Sequence, residues 1–117
     1  MRPGERKGQS NDPILEHAML DVRPGQEQAF ETAFAEAQLI IAAARGYLSH
    51  RLERCIEHPN RYLLLVEWTT LEAHTEGFRG SSQYQQWKAL LHHFYDPFPT
   101  VLHLRTVFAS SGGGDDA

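Results

Sequence analysis

The sequence of 117 residues has a single cysteine, Cys55, which excludes an internal disulfide and any metal site built only from cysteines. A lone thiol is typical of proteins in a reducing compartment, so we expect a cytoplasmic protein. No apolar run approaches the roughly 20 residues that a membrane helix needs, and we expect no contact with a membrane. A secretory signal would have an apolar segment after its charged N-terminus, and this sequence has none there.

Positive charge is also scarce, since the only lysines are Lys7 and Lys88 and the formal net charge is -4. Nucleic-acid binding depends on many cations that neutralise phosphates, so we expect no nucleic-acid partner. The glycine-rich signatures of nucleotide-binding loops and the serine elbow of hydrolases are absent. None of the seven histidines has a second histidine four residues away, and we expect no bound metal.

Both ends of the chain are polar and glycine-containing, and neither could bury enough apolar surface to offset the entropy of ordering. We therefore expect disordered tails at residues 1–12 and 110–117. The sequence between them predicts one domain, residues 13–109.

Hydrophobic periodicity divides this domain into strands and helices. Alternating or apolar segments predict four strands at residues 14–22, 47–56, 62–68 and 100–108. Apolar spacing of three and four predicts a helix over residues 26–45. Capping-box patterns at Thr69/Glu72 and Ser82/Gln85 predict a short helix to residue 77 and a second long helix. The order β-α-β-β-α-β predicts an α+β, ferredoxin-like fold with a four-stranded antiparallel sheet.

The strand at residues 62–68 is apolar on both faces. Leu63 and Leu65 share one face, and the other face carries Tyr62, Leu64, Val66 and Trp68. Helices in this topology cover only one face of the sheet, so the other face needs a different cover. We expect a two-fold homodimer in which the sheets meet face to face, with a cavity in each subunit between sheet and helices.

Two features could carry chemistry. His17 lies in the first strand on the face of Leu15 and Met19, where a polar ring needs a partner; a backbone hydrogen bond alone would also satisfy it. Six aromatic residues lie close together in the second half: Phe78, Tyr84, Trp87, Phe94, Tyr95 and Phe98. These rings could pack the core, or some of them could line a cavity for a flat aromatic ligand.

Several segments together resemble one family. They are Val-Arg-Pro-Gly at residues 22–25, Gly-Tyr-Leu-Ser at 46–49, the run at 62–74, Phe-Arg-Gly-Ser at 78–81 and Tyr-Gln-Gln-Trp at 84–87. Over residues 14–108 the sequence resembles the antibiotic biosynthesis monooxygenases, a family of dimeric α+β barrels. The resemblance implies this fold, a homodimer, and oxidation of a phenol or hydroquinone by O₂ without a cofactor.

The resemblance also implies positions for a site. The quinone-forming members place Asn, Trp and Tyr where this sequence has His74, Phe78 and Tyr84, so only the tyrosine is kept. The haem-degrading branch places Asn, Trp and His where this sequence has His17, Phe78 and Lys88. None of these three matches, and haem degradation is disfavoured.

From the resemblance and the residue chemistry we expect a cavity that holds a small aromatic substrate. In it Tyr84 orients a substrate oxygen, a histidine acts as base, and an aromatic ring stacks on the substrate. The candidate catalytic residues are His17, His74, Tyr84 and His92, and the candidate substrate-binding residues are Phe78, Trp87 and Lys88. Two alternatives stay open: a dimeric barrel that binds a small ligand without oxygenating it, and a stress or assembly protein whose interior is only packing.

Overall fold

The computed structural model describes the backbone of residues 5–7 and the whole of residues 12–112. No helix within these residues has the length and apolar character to cross a membrane. The expected tails fall largely outside the described residues, so the domain limits stay a prediction. Among the described residues, a short strand β1 (Glu5–Lys7) pairs antiparallel with the last strand, Phe108–Ser110.

The main sheet has four antiparallel strands: β2 (Ile14–Asp21), β3 (Tyr47–Arg54), β4 (Arg61–Trp68) and β5 (Val101–Arg105). Their spatial order is β3-β4-β2-β5, and Phe108–Ser110 is β6 of the separate two-stranded sheet. Two α-helices, α1 (Glu27–Ala42) and α2 (Ser82–Leu91), follow β2 and β4 in the chain. The predicted α+β fold with the order β-α-β-β-α-β is confirmed.

Each strand of the sheet has a covered face and an open face. In β4 the side chains of Tyr62, Leu64, Val66 and Trp68 are buried, while Leu63 and Leu65 are only partly buried. This is the division that alternation predicts for β4. Phe30, Phe34 and Ile41 of α1 and Trp87 and Leu91 of α2 belong to the same core, so the helices pack on the covered face.

Strand register places chemistry on the covered face. Glu16 lies opposite Val66 of β4 and opposite His103 of β5. Side chains directly opposite in an antiparallel pair project from the same face of the sheet. The neighbouring His17 lies opposite Leu65 and therefore projects from the open face.

Both predicted capping boxes are displaced by one residue. The Ser81 hydroxyl, not that of Ser82, accepts the backbone N–H of Tyr84 at 3.2 Å. Ser81 has extended backbone angles, which an N-cap residue needs, whereas Ser82 is already helical. In the preceding segment Thr70, not Thr69, accepts the N–H of Ala73 at 3.1 Å.

The short predicted helix ends as a π-helical turn, Ala73–Phe78. The Arg79 N–H donates to the carbonyl of His74, a bond between residues five apart. The wider turn places both His74 and Phe78 in the interior.

Gly46 is the predicted stop after the first helix, which itself ends at Ala42 rather than at residue 45. Gly46 has φ +86°, and a Cβ there would lie 2.6 Å from the Cβ of Ala73, so the residue allows the close approach of that turn. At the other end of the fold, α2 stops at Leu91 and continues as a single 3₁₀ turn, His92–Phe94.

Candidate functional site

A cavity of about 450 Å³ lies between the covered face of the sheet and the helices. Its volume suits a small organic ligand. Seven rings line the cavity: Phe78, Tyr84, Trp87, Tyr95, Phe98 and the imidazoles of His74 and His92. Aliphatic side chains of the sheet, among them Ala18, Leu20 and Leu64, close the other side.

The rings of the wall hold one another at defined angles. Phe78 meets Tyr84 edge to face at 5.5 Å and Trp87 at 5.9 Å. His92 meets Phe98 edge to face at 5.0 Å and lies 6.0 Å from Tyr84. Aromatic pairs favour such geometries, which fix the orientation of each ring. The wall therefore presents rigid apolar faces to a flat ligand.

One carboxylate lines this cavity. Glu16 is 5% exposed, and its Oε1 accepts the indole N–H of Trp68 at 2.9 Å. The same oxygen lies 3.3 Å from Nε2 of His74, which is 3% exposed. A buried carboxylate is costly unless it accepts hydrogen bonds, and the Trp68 indole supplies one while the His74 ring packs against the same oxygen.

The contacts continue from Glu16 toward the edge of the sheet. Nδ1 of His74 lies 2.8 Å from Nε2 of His103, whose side chain is only partly buried. The His74 ring also stacks on Trp68, with centroids 5.2 Å apart and planes 22° from parallel. Both nitrogens of His74 are thus engaged, and its plane is fixed. We call Glu16, His74 and His103 the carboxylate–histidine chain.

Burial changes the ionisation of these groups. It raises the pKa of Glu16 above its ordinary value, against the hydrogen bond from Trp68 and the positive charge of Arg79, which lower it. Burial lowers the pKa of His74 to about 3, and it lowers the pKa of His103 and of His92. The three imidazoles are therefore neutral at neutral pH.

Neutral rings restrict the hydrogen bonds that this chain can form. A neutral imidazole has one N–H, so of the two nitrogens that face each other, Nδ1 of His74 and Nε2 of His103, one donates and the other accepts. Nε2 of His74 faces Oε1 of Glu16 at 3.3 Å.

Five of the seven residues predicted from the sequence line this cavity. They are His74, Phe78, Tyr84, Trp87 and His92. His17 and Lys88 do not line it. His17 projects from the open face, because its neighbour Glu16 projects inward and successive side chains of a strand alternate. Lys88 lies one residue after the buried Trp87 and points into solvent from α2.

Sequence reasoning missed Glu16, Arg79 and His103 as parts of this site. A signal for Glu16 was present, since it is the one charged residue between Ile14 and Ala18 on a face that is otherwise apolar. The contact between His74 and His103 spans 29 positions of the chain, and local pattern carries no signal for it.

Within residues 12–112 no group of three or more His, Cys, Asp and Glu side chains has the arrangement to hold a metal ion. The carboxylate–histidine chain is itself linear rather than convergent, because His103 binds to His74 and not to a shared centre. The arrangement is suited to holding a proton on, or removing one from, a ligand in the cavity.

The sequence profile of the antibiotic biosynthesis monooxygenases matches residues 13–90, more than half of the chain. The chain belongs to the antibiotic biosynthesis monooxygenase family. The uncharacterized protein YczJ of Bacillus subtilis (strain 168) is 60% identical over 94 residues, which are 80% of this chain and 99% of YczJ. The family resemblance inferred from the sequence motifs is confirmed.

Solved structures of the family share the fold. A Bordetella bronchiseptica protein provisionally named an antibiotic biosynthesis monooxygenase is 38% identical, with a TM-score of 0.78 over 82% of this chain and 98% of that one. A Caulobacter crescentus CB15 protein with the same provisional name shows the fold at 22% identity, with a TM-score of 0.71 over 86% and 92% of the two chains. Family and structure together support a role in oxygenation or in binding a small ligand.

Proposed function

We propose that this monooxygenase-family protein oxidises a small phenol or hydroquinone-like compound with O₂ and without a cofactor. The observation that carries the proposal is the cavity of about 450 Å³, in which aromatic walls surround one held carboxylate. Aromatic walls suit a flat ring, and a proton acceptor at the cavity suits a substrate that must ionise before it reacts.

The cavity residues divide into two roles. Phe78 and Trp87 provide faces and edges against which a substrate ring packs. Tyr84 orients a substrate oxygen, since its side chain borders the cavity and its hydroxyl has no hydrogen-bond partner among residues 12–112. His74 and His92 lie at the same cavity and assist proton transfer, either directly or by holding another group.

The reaction balances for a phenol with hydrogen at the para carbon. Loss of the hydroxyl proton gives a phenolate, which transfers one electron to O₂ and so forms a phenoxyl radical and superoxide. These two combine at the para carbon, and the returned proton makes a hydroperoxide. Loss of the para hydrogen as a proton and cleavage of the O–O bond give a quinone and one molecule of water.

The active form is a homodimer that closes over the open face of the sheet. This face carries six apolar side chains: Leu15, Met19, Leu63, Leu65, Leu102 and Leu104. In one protomer Met19 is 40%, Leu104 43% and Leu102 53% exposed. Six exposed or partly exposed apolar side chains on one face are uncommon on a monomer, and a second copy covers them with the same chemistry.

Oxygen uptake with a panel of phenols, naphthols and hydroquinones tests the activity. For phenols with a para hydrogen we expect consumption of one O₂ per quinone formed, and ¹⁸O₂ should place one labelled atom in the product. The variant Tyr84→Phe should lower kcat/KM about tenfold or more, because a hydrogen bond to the substrate oxygen is lost. Tyr47→Phe, outside the cavity, is the matched control.

Two outcomes would redirect the proposal. A ligand-dependent rise in Tm without oxygen consumption would support the alternative, a barrel that only binds a small ligand. Equal turnover by Tyr84→Phe and the wild type would remove Tyr84 from the site.

A further inference from the structure

Glu16 is a buried acid whose position the apolar core does not require. It lies on β2 among Ile14, Ala18 and Leu20, all of which are at most 5% exposed. Burying a carboxylate costs several kcal/mol before its partners compensate, and an apolar side chain of similar size would avoid that cost. A buried ionisable group that lines a cavity is typical of functional sites.

The two oxygens of Glu16 have different surroundings. Oε1 accepts from Trp68 and lies against His74, so it is fully engaged. Oε2 has no protein hydrogen bond among the described residues, although no enclosed side-chain oxygen or nitrogen there lacks a partner. Oε2 is therefore open to the cavity that Glu16 lines. One oxygen is anchored and the other is free for a ligand.

His74 is less suited to accept a proton from a ligand, although it lies at the same cavity. Its Nε2 faces Glu16 and its Nδ1 faces His103, so no ring nitrogen is left for a substrate. Its ring is held further by stacking on Trp68. The geometry gives His74 the task of holding the carboxylate.

We propose that Glu16 is the general base of the site, and that His74 and His103 are positioning residues that hold its carboxylate. Oε2 takes the hydroxyl proton of a phenolic substrate, so the phenol O–H bond breaks and an O–H bond forms on Glu16. The same proton returns to the peroxide oxygen later in the reaction. This inference rests on the proposed phenolic substrate, and it assigns the proton transfer within that reaction.

The charges around the cavity favour this transfer. Arg79 lines the cavity, and its positive charge acts on Glu16 and on both histidines of the chain. When the proton moves, the negative charge passes from Glu16 to the phenolate, and Arg79 remains available to balance it. Burial raises the pKa of Glu16 toward that of a phenol, which makes the transfer easier.

Groups from four elements face Glu16 and contribute to its pH dependence. They are Trp68 of β4, His74 of the π-helical turn with Arg79 directly after it, His103 of β5, and the buried Tyr95 after the 3₁₀ turn. The pKa of Tyr95 is raised by burial and by the charge of Glu16, so Tyr95 stays neutral. Turnover requires ionised Glu16, and it should fall as the pH drops through a value above the ordinary carboxyl range.

The test compares Glu16→Gln with wild type by two readouts. Glutamine keeps the size of the side chain and an oxygen for the Trp68 N–H, but it cannot take a proton. We expect kcat/KM to fall at least about a hundredfold. Without oxygen, wild type should convert bound 4-nitrophenol to its coloured phenolate at a pH where the free compound is protonated, whereas Glu16→Gln should bind it protonated with similar affinity.

Glu36→Gln is the matched control, because Glu36 is exposed on α1 and remote from the cavity. It should behave as wild type in both readouts. His103→Leu removes the hydrogen-bond partner of His74 Nδ1 at a partly buried position. It should move the pH midpoint of probe ionisation upward, since His74 then holds the Glu16 carboxylate less firmly. This variant carries the test if Glu16→Gln does not fold.

The outcomes test the role of Glu16 as base separately from the proposed monooxygenase reaction. Ionisation of the probe that depends on Glu16, without oxygen uptake for any phenol, would retain the base and reject the monooxygenase. Oxygen uptake that Glu16→Gln leaves unchanged would retain the monooxygenase and reject the base. Failure of wild type to bind or ionise 4-nitrophenol, or an unchanged midpoint in His103→Leu, would also overturn the inference.

Discussion

At the scale of single residues, the site depends on a carboxylic acid and an imidazole that are both buried and in contact. Glu16 and His74 are each at most 5% exposed and lie 3.3 Å apart. Burial moves both pKa values toward the neutral form, upward for the acid and downward for the imidazole. The His74 ring therefore stays neutral at neutral pH.

The pKa of His74 makes the stability of the fold depend on acidity. Burial lowers this pKa from its ordinary 6.5 to about 3, whereas the unfolded chain keeps the ordinary value. The stabilisation from the neutral ring is complete above pH 6.5 and is lost as the pH falls toward about 3, because the unfolded chain then binds a proton that the folded chain does not. The raised pKa of Glu16 has the opposite sign, because the folded state then binds the extra proton.

Replacing His74 by glutamine removes this titration. We expect the free energy of unfolding of His74→Gln to fall less than that of wild type between pH 6.5 and 4, as urea denaturation at several pH values would measure. His58→Gln, in the exposed turn between β3 and β4, should keep the slope of wild type. Equal slopes for His74→Gln and wild type would contradict the assignment.

At the scale of elements, the segment between β4 and α2 supplies His74 and Phe78 to the site and leads into the helix that supplies Tyr84 and Trp87. Its π-helical turn, Ala73–Phe78, directs His74 and Phe78 inward, and α2 then brings Tyr84 and Trp87 to the same cavity. The start of α2 is fixed by Ser81, whose hydroxyl accepts the N–H of Tyr84 and donates to the carbonyl of Phe78. One side chain thus joins the turn to the helix.

This cap distinguishes two adjacent serines. Ser81→Ala should lower the free energy of unfolding by about 1 kcal/mol, because the first turn of α2 loses its side-chain acceptor. Ser82→Ala should change it by less than about 0.5 kcal/mol, since the Ser82 hydroxyl contacts only the neighbouring Gln83. Urea denaturation of the two variants decides between the observed cap and the capping box that the sequence predicted; a larger loss in Ser82→Ala would favour the capping box.

At the scale of the whole molecule, the two faces of the sheet have different tasks. The covered face encloses the cavity, and the open face carries the apolar side chains through which we expect two copies to associate. His17 belongs to the open face, between Leu65 of β4 and Leu102 of β5. Its position suits the dimer interface rather than the cavity.

A charge on the open face should separate the two copies. Leu102 is 53% exposed in one protomer, so Leu102→Glu should leave the protomer folded and yield a monomer in size-exclusion chromatography with light scattering. Leu39 of α1 is 70% exposed on the opposite side of the molecule, and Leu39→Glu should remain a dimer. A wild-type protein of monomeric mass would contradict the proposed homodimer. The cytoplasmic location, which this experiment does not test, stays a prediction.

The periodicity of the sequence was sufficient for the order of the elements and for the two-faced character of β4, because both depend on neighbours along the chain. The family motifs also located the turn with His74 and Phe78 and the helix with Tyr84 and Trp87, and these four residues line the cavity. Helix ends and caps were displaced by one to three residues, since several adjacent residues satisfy the same capping chemistry.

Only the tertiary structure shows which residues form the carboxylate–histidine chain. Because successive side chains of a strand alternate, the sequence predicts that Glu16 and His17 project from opposite faces of β2. The packing of α1 and α2 decides which of the two is enclosed. The contacts from Glu16 to His74 and from His74 to His103 join three separate elements, and only the folded sheet brings them together. The reason is physical: pattern is set by near neighbours, whereas a buried charge is held by whatever the fold places around it.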